Sequence, residues 1–171
     1  MDKFLKKRPT DEEALALYKI KDIKKLTDIA SFLRDEGHRN IISYSRKIFI
    51  PLTKLCRDFC HYCTFAEKPK KQKTNYMTKD EVMELIKQGE KSGCKEALFT
   101  LGEKPEKRYR SAQEELERLG HKTTLSYLTE IAKLVISESS LLPHINAGTM
   151  SRRDLKRLRE VSVSQGLMLE S

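Results

Sequence analysis

No apolar run in this 171-residue sequence approaches the roughly 20 residues that a helix needs to cross a bilayer. The amino-terminal stretch MDKFLKKRPTDEE also lacks the apolar centre of a secretory signal. Both absences point to the cytoplasm, where thiols stay reduced. Cysteine is scarce, four residues in all, and in that compartment cysteines read as metal ligands or redox groups rather than disulfides. There is no internal repeat. There is also no low-complexity tract beyond the short lysine-rich linker EKPKKQKTNY, and no RNA-binding motif.

What is present describes one ordinary domain. Hydrophobic residues make up 38% of the chain and charged residues 35%, enough for a packed core at this length. The formal charge is +9, a balance that invites a nucleic-acid reading. Its basic residues are scattered through FLKKRP, IKKL, KPKKQK and RRDLKRLR, and acids interrupt most of these runs. Solvated helix faces and loops account for them, and nucleic acid is not the expected partner.

Apolar spacing predicts helix over residues 11–36, with a break near Lys21 and Asp22 and a stop at Gly37. KIFIPL, residues 47–52, reads as a strand that Pro51 brings to its end. Thr78 with Glu81 forms a capping box ahead of Val82, Leu85 and Ile86. EALFTL, residues 96–101, is a buried strand. Ser111 with Glu114 marks a further helix start, and a longer helix runs from about Thr124 to Glu138. LLPHINAG supplies a third strand, Ser151 caps the next helix, and GLMLES begins a fourth strand. This alternation predicts a parallel α/β sheet with crossover helices. In such sheets function gathers at the carboxyl ends of the strands, here TKLCRDFCHYC, LGEKPE, NAGTM and ES. An apolar strand ending the chain would leave an open edge at Leu167 to Leu169, so the sequence reads as truncated within a larger barrel.

LCRDFCHYCTF places Cys56, Cys60 and Cys63 within eight positions of one another, just after the first strand's exit. A structural zinc site normally takes four ligands from paired arms. His61 is crowded between two cysteines, and Cys94 reads as a small buried hydrophobe. Three thiolates suit a 4Fe-4S cluster in which the fourth iron stays open to a substrate or cofactor. Zinc held by a non-catalytic module that contacts RNA is the alternative from another class, although such a module has no need of the LGE and NAG loops.

The CxxxCxxC pattern after a strand, with an aromatic before the third cysteine, resembles the radical S-adenosylmethionine superfamily. YSRKIFIPLTKLCRDFCHYCTF, EALFTLGEKPE, LLPHINAGTMS and GLMLES together resemble more narrowly the 7,8-didemethyl-8-hydroxy-5-deazariboflavin synthases. The likeness is to their CofG subunit or the matching half of the fused FbiC enzyme, and it runs from about Ile42 to Ser171. Residues 1–40 form a variable helical lead-in, and residues 41–171 the first part of the core. The resemblance implies about four βα units of a partial (β/α)6 TIM-like barrel.

It further implies that Cys56, Cys60 and Cys63 hold the cluster and that S-adenosylmethionine chelates the open iron. Tyr62 would lie near the adenine. Thr100, Gly102 and Glu103 fall on the family's Gly-Gly-Glu motif, with Leu101 in place of the first glycine, and Glu103 would accept from the cofactor's amino group. Asn146 would add a polar contact and Glu170 a ribose contact. The implied reaction is a radical cyclisation that releases ammonia and makes the deazaflavin of coenzyme F-420. Its small-molecule substrate would come from the partner subunit CofH, and electrons from a ferredoxin or flavodoxin. No catalytic side chain is implied beyond the cluster and cofactor site. Another radical S-adenosylmethionine enzyme, such as a tRNA modifier, is the nearer alternative. Arg57, beside the first cysteine, is read as an ion-pair partner of Asp58 or Glu67.

Overall fold

The computed structural model of the protein describes residues 8–69 and 74–168. The chain divides into two compact units, the first ending at Tyr44 and the second beginning at Ser45.

The first unit is a pair of helices. In α1 (Asp11–Leu17) Thr10 caps the start: its hydroxyl accepts from the Glu13 N–H, and the Glu13 carboxylate accepts from the Thr10 N–H. Asp22 caps α2 (Ile23–His38) by accepting from the Lys25 N–H. The expected break falls between them. The expected stop at Gly37 does not, because Gly37 stays helical and the helix ends at Arg39, whose φ is +55°. Neither helix buries a side chain.

The second unit contains a four-stranded, fully parallel sheet in the order β1-β2-β3-β4. Its elements follow as β1 (Lys47–Ile50), α3 (Lys79–Lys91), β2 (Glu96–Thr100), a 3-10 turn (Pro105–Lys107), α4 (Arg110–Arg118), α5 (Thr124–Glu138), β3 (Leu142–Asn146), α6 (Arg152–Arg159) and β4 (Ser164–Gln165). Alternation along the strands sends Ile50, Ala97, Phe99 and Ile145 into the core. There they join Val82 and Ile86 of α3 and Leu128, Ile131, Ala132 and Val135 of α5, all fully buried. Leu158 of α6 and Val161 are also buried, whereas Leu155 is exposed. The opposite face of the sheet is polar at its amino end. There Lys47, Glu96, His144 and Ser164 make a row of polar contacts across all four strands, with His144 Nδ1 within reach of both Glu96 and Ser164.

Two expectations are corrected. The helix expected to start at Ser111 begins at Arg110 after an uncapped Tyr109. Glu114 cannot close a box with Ser111, because its carboxylate is taken by Arg110 at 2.8 Å. The fourth strand is Ser164–Gln165, ahead of GLMLES, of which residues 169–171 lie outside the described residues. Val163 N–H donates to the Pro143 carbonyl and Gly166 N–H to the Ile145 carbonyl, so pairing runs out where β3 ends. Leu167 and Met168 lie past that point and are exposed.

Candidate active site at the carboxyl ends of the strands

Pro51 follows β1, and the chain then enters the cysteine loop. Buried Leu52 and Leu55 pin its entry. The Thr53 hydroxyl accepts from the Leu55 N–H (3.2 Å) and donates to the Asn75 carbonyl (2.7 Å). Single bridges tie Thr53 to Tyr76 and Leu55 to Glu67.

The exit of β2 presses directly on this loop. Gly102 N–H donates to the Thr53 carbonyl at 2.9 Å. A Cβ added to Gly102 would lie 1.8 Å from the Leu55 carbonyl oxygen and 3.0 Å from Cys56 Cα, so only glycine fits. The next residue places its own N–H on the first thiol: Glu103 N–H donates to Cys56 Sγ at 3.3 Å, and Asp58 N–H does so at 3.5 Å.

From the other side Arg108 holds the loop's middle. Its guanidinium stacks 3.7 Å from the Phe59 ring centre and donates to the Arg57 carbonyl at 2.8 Å. Cys63 N–H closes a turn onto the Cys60 carbonyl at 3.0 Å.

The Glu103 carboxylate is largely buried between three loops. It accepts from Arg57 Nη2 at 2.5 Å, from the Thr149 hydroxyl, and from the Thr149 N–H at 2.9 Å. Lys104 Nζ is 4.0 Å away, and its own hydrogen bond goes to the Thr149 carbonyl. Burial pushes the carboxyl up, but the Thr149 hydrogen bonds and the charges of Arg57 and Lys104 outweigh it and leave the group lowered. Gly148 makes room for it: its φ is +72°, and a Cβ there would come within 2.3 Å of Glu103 Oε2.

The structure therefore brings together Cys56, Gly102 and Glu103 from the expected set. Thr100 and Asn146 are register partners at the end of the sheet, and the Asn146 side chain lies against Gly166. Tyr62 is exposed. Glu170 lies outside the described residues. The expected Arg57–Asp58 ion pair is present at 3.8 Å, but Arg57 also has a nearer partner in Glu103, and Glu67 pairs instead with Lys54 at 3.0 Å. Thr149, Lys104 and Arg108 were not singled out in the sequence. Their one signal was position, since each sits in a loop that follows a strand end.

The four cysteines are free of disulfides. Among the described residues no three cysteine, histidine or acidic side chains are gathered into a group able to hold a metal ion. Three reduced thiols on one loop, the first already bearing amide donors, nevertheless form a donor set whose chemistry fits an iron-sulfur cluster. Cys94 packs at the edge of the core ahead of β2, at the opposite end of the sheet. No helix among the described residues is long and apolar enough to cross a membrane.

Known proteins share this organisation. FO synthase of Mycobacterium tuberculosis is 44% identical over 176 residues, covering 94% of this chain and 21% of that protein. The 7,8-didemethyl-8-hydroxy-5-deazariboflavin synthase of Methanopyrus kandleri is 43% identical over 130 residues, covering 76% of this chain and 39% of that one. The chain thus spans well under half the length of either relative. Among solved structures, methylornithine synthase (PylB) superposes with a TM-score of 0.63 at 21% identity, covering 94% of this chain and 44% of that one. HydG, a maturase of the [FeFe]-hydrogenase, superposes with 0.64 at 21% identity over 91% and 32% of the respective chains. These two likenesses establish the α/β fold. Residues 50–168 match the Radical SAM superfamily. That match takes in more than half of the chain and every strand end described above, so the chain belongs to the Radical SAM superfamily, whose members work with a 4Fe-4S cluster and S-adenosylmethionine.

Proposed function

We propose that the chain carries the cluster and cofactor site of a 7,8-didemethyl-8-hydroxy-5-deazariboflavin synthase of the CofG type. The observation that carries this reading is the meeting of the cysteine loop with Glu103 at the sheet's carboxyl end, in a chain 43–44% identical to two such synthases. Residues 1–40 are the lead-in, residues 41–171 the first part of the core, and the cytoplasm is the site of action. A CofH-type partner, separate or fused, supplies the substrate, and a ferredoxin or flavodoxin supplies electrons.

Cys56, Cys60 and Cys63 hold the cluster. When bound, cluster and cofactor together supply one-electron chemistry able to remove hydrogen from an unactivated carbon. This chain's residues orient and shield. The amides of Asp58 and Glu103 donate to the Cys56 sulfur and orient it, as outer hydrogen bonds do for metal ligands. Glu103 accepts from the cofactor's amino group, Thr100 and Gly102 present β2's exit to it, and Asn146 contributes a polar contact. Tyr62 borders the adenine, and Glu170 is assigned to a ribose hydroxyl. Lys47, Lys54, Arg57 and Lys79 pair with acids of the same chain, which argues against an RNA surface at those positions.

Anaerobic loading with iron and sulfide, followed by electron paramagnetic resonance with and without S-adenosylmethionine, tests the site. The wild-type chain should take up about four irons and show a signal that changes with the cofactor. Cys60→Ala should show neither, and an intact cluster in that variant overturns the ligand assignment. Ammonia release and deazaflavin fluorescence from the hydroxybenzyl–ribitylaminouracil adduct test the reaction, and an adduct left unconsumed by cluster-loaded protein overturns it.

A further inference from the structure

The carboxylate assigned to the cofactor's amino group is already engaged. Glu103 Oε1 takes Arg57 Nη2 and the Thr149 hydroxyl, while Oε2 takes the Thr149 N–H. A carboxylate offers about four acceptor positions. Three of these are taken, and Gly148 crowds Oε2, since a Cβ built on that glycine would come within 2.3 Å of it. An incoming ammonium therefore has to displace a donor.

Thr149 contributes through its backbone as well as its hydroxyl, and Lys104 is committed to the Thr149 carbonyl. Arg57, whose Nη2 also makes a long 3.5 Å hydrogen bond to the Thr149 hydroxyl, is the donor able to leave, for three reasons. Its Nε is buried and has no hydrogen-bond partner, an unfavourable state for a charged group. Asp58 Oδ1 lies 3.8 Å from that same Nε and offers a second acceptor after a small rotation. The Arg57 backbone is separately fastened, its N–H to the Glu103 carbonyl and its carbonyl to Arg108, so the side chain can swing without moving the cysteine loop.

We propose that Arg57 is a positioning residue that latches Glu103 in the ligand-free protein and moves onto Asp58 when S-adenosylmethionine's ammonium takes its place. This rests on the assignment of Glu103 to that ammonium. The latch keeps the carboxylate charge-neutralised and oriented beside Cys56 while the site is empty. It also sets cofactor affinity, because part of the binding free energy goes into breaking the Arg57–Glu103 pair.

Equilibrium dialysis of S-adenosylmethionine against cluster-loaded protein reads this without turnover. Arg57→Gln should tighten binding roughly fivefold, since the guanidinium no longer competes for Glu103. Asp58→Asn should weaken binding by a similar factor, because the displaced guanidinium loses its second acceptor. In the double variant the Asp58→Asn effect should vanish, a coupling that a merely structural role would not produce. Weaker or unchanged binding by Arg57→Gln overturns the latch, as does an Asp58→Asn effect that persists without Arg57. If Arg57→Gln takes up less iron than the wild type, Asp58→Asn carries the test alone, and unchanged binding there overturns the proposal. Glu103→Gln separates the two levels. If it weakens binding while the Arg57 variants fail, only the latch falls; if it leaves binding unchanged, the assignment of Glu103 falls as well.

Discussion

Glu96 joins the four strands at the amino end of the sheet, and replacing it with glutamine should remove a defined, pH-dependent part of the stability. Its carboxylate accepts from Lys47 Nζ and from the Ser45 hydroxyl. His144 Nδ1 lies 3.1 Å away and is itself 2.8 Å from the Ser164 hydroxyl. The hydrogen bonds from Lys47 and Ser45, with His144 adding to them against the opposing effect of burial, hold the carboxyl at about 2 instead of 4.5. At about 1.4 kcal/mol per tenfold change, that displacement is worth at most ~3.4 kcal/mol. Solvent reaches both partners, with Lys47 30% and Glu96 17% exposed, so screening reduces the expected value to about 1.5–2 kcal/mol. The folded value lies below the unfolded one, so this stability is complete above about pH 4.5 and is lost as pH falls toward 2. Thermal melts of the metal-free chain at pH 7 should place Glu96→Gln roughly 3–8 °C below the wild type. The gap should close progressively between about pH 5 and pH 2. Parallel pH profiles for the two proteins would refute the argument, because they would mean that Glu96 titrates alike folded and unfolded.

Three further substitutions probe the site and its support. Gly102→Ala must push a Cβ against the Leu55 carbonyl oxygen, so we expect iron uptake to be lost while the far-ultraviolet circular dichroism persists; wild-type iron content would show that the loop can yield. Cys94→Ala should retain the full cluster and lose about 1 kcal/mol or less in denaturant melts, since Cys94 only packs at the core's edge, and loss of iron would make it a ligand. Tyr76→Phe removes a buried 2.7 Å hydrogen bond to Thr124. Thr124 still donates to Glu106 at 2.6 Å, so the denaturant midpoint should fall by the equivalent of about 1 kcal/mol, with an unchanged slope.

What could be read in advance was local, and what escaped was not. The Thr78–Glu81 box and the Ser151 cap appear as expected because each cap stands three residues before an acid, Glu81 or Asp154, that nothing else claims. The Ser111–Glu114 pair has the same spacing and fails, because Arg110 captures the acid first. β4 was placed too late because its apolar residues draw the eye, whereas its position is set by the length and register of β3. The site divides in the same way. The cysteines and Glu103 stand out as motifs, but the partners of Glu103 lie 46 residues away on both sides, at Arg57 and Thr149. No pattern within one segment reveals a pairing that only the parallel sheet creates.

The departure at Leu101 has a physical explanation in the same geometry. The family motif has glycine at both positions before the glutamate, and this chain keeps only the second. Leu101 is 7% exposed, belongs to the core, and uses its backbone N–H on the Asn146 carbonyl at 3.4 Å. A large apolar side chain is welcome there, pointing inward among the helices. One residue later the chain passes so close to the cysteine loop that a single added carbon would overlap the Leu55 backbone. The contact that sets Glu103 N–H on Cys56 Sγ depends on that approach, so the steric demand falls on Gly102 alone. A partial motif match can therefore preserve the complete geometry, because only one of the two glycines stands where another chain must pass.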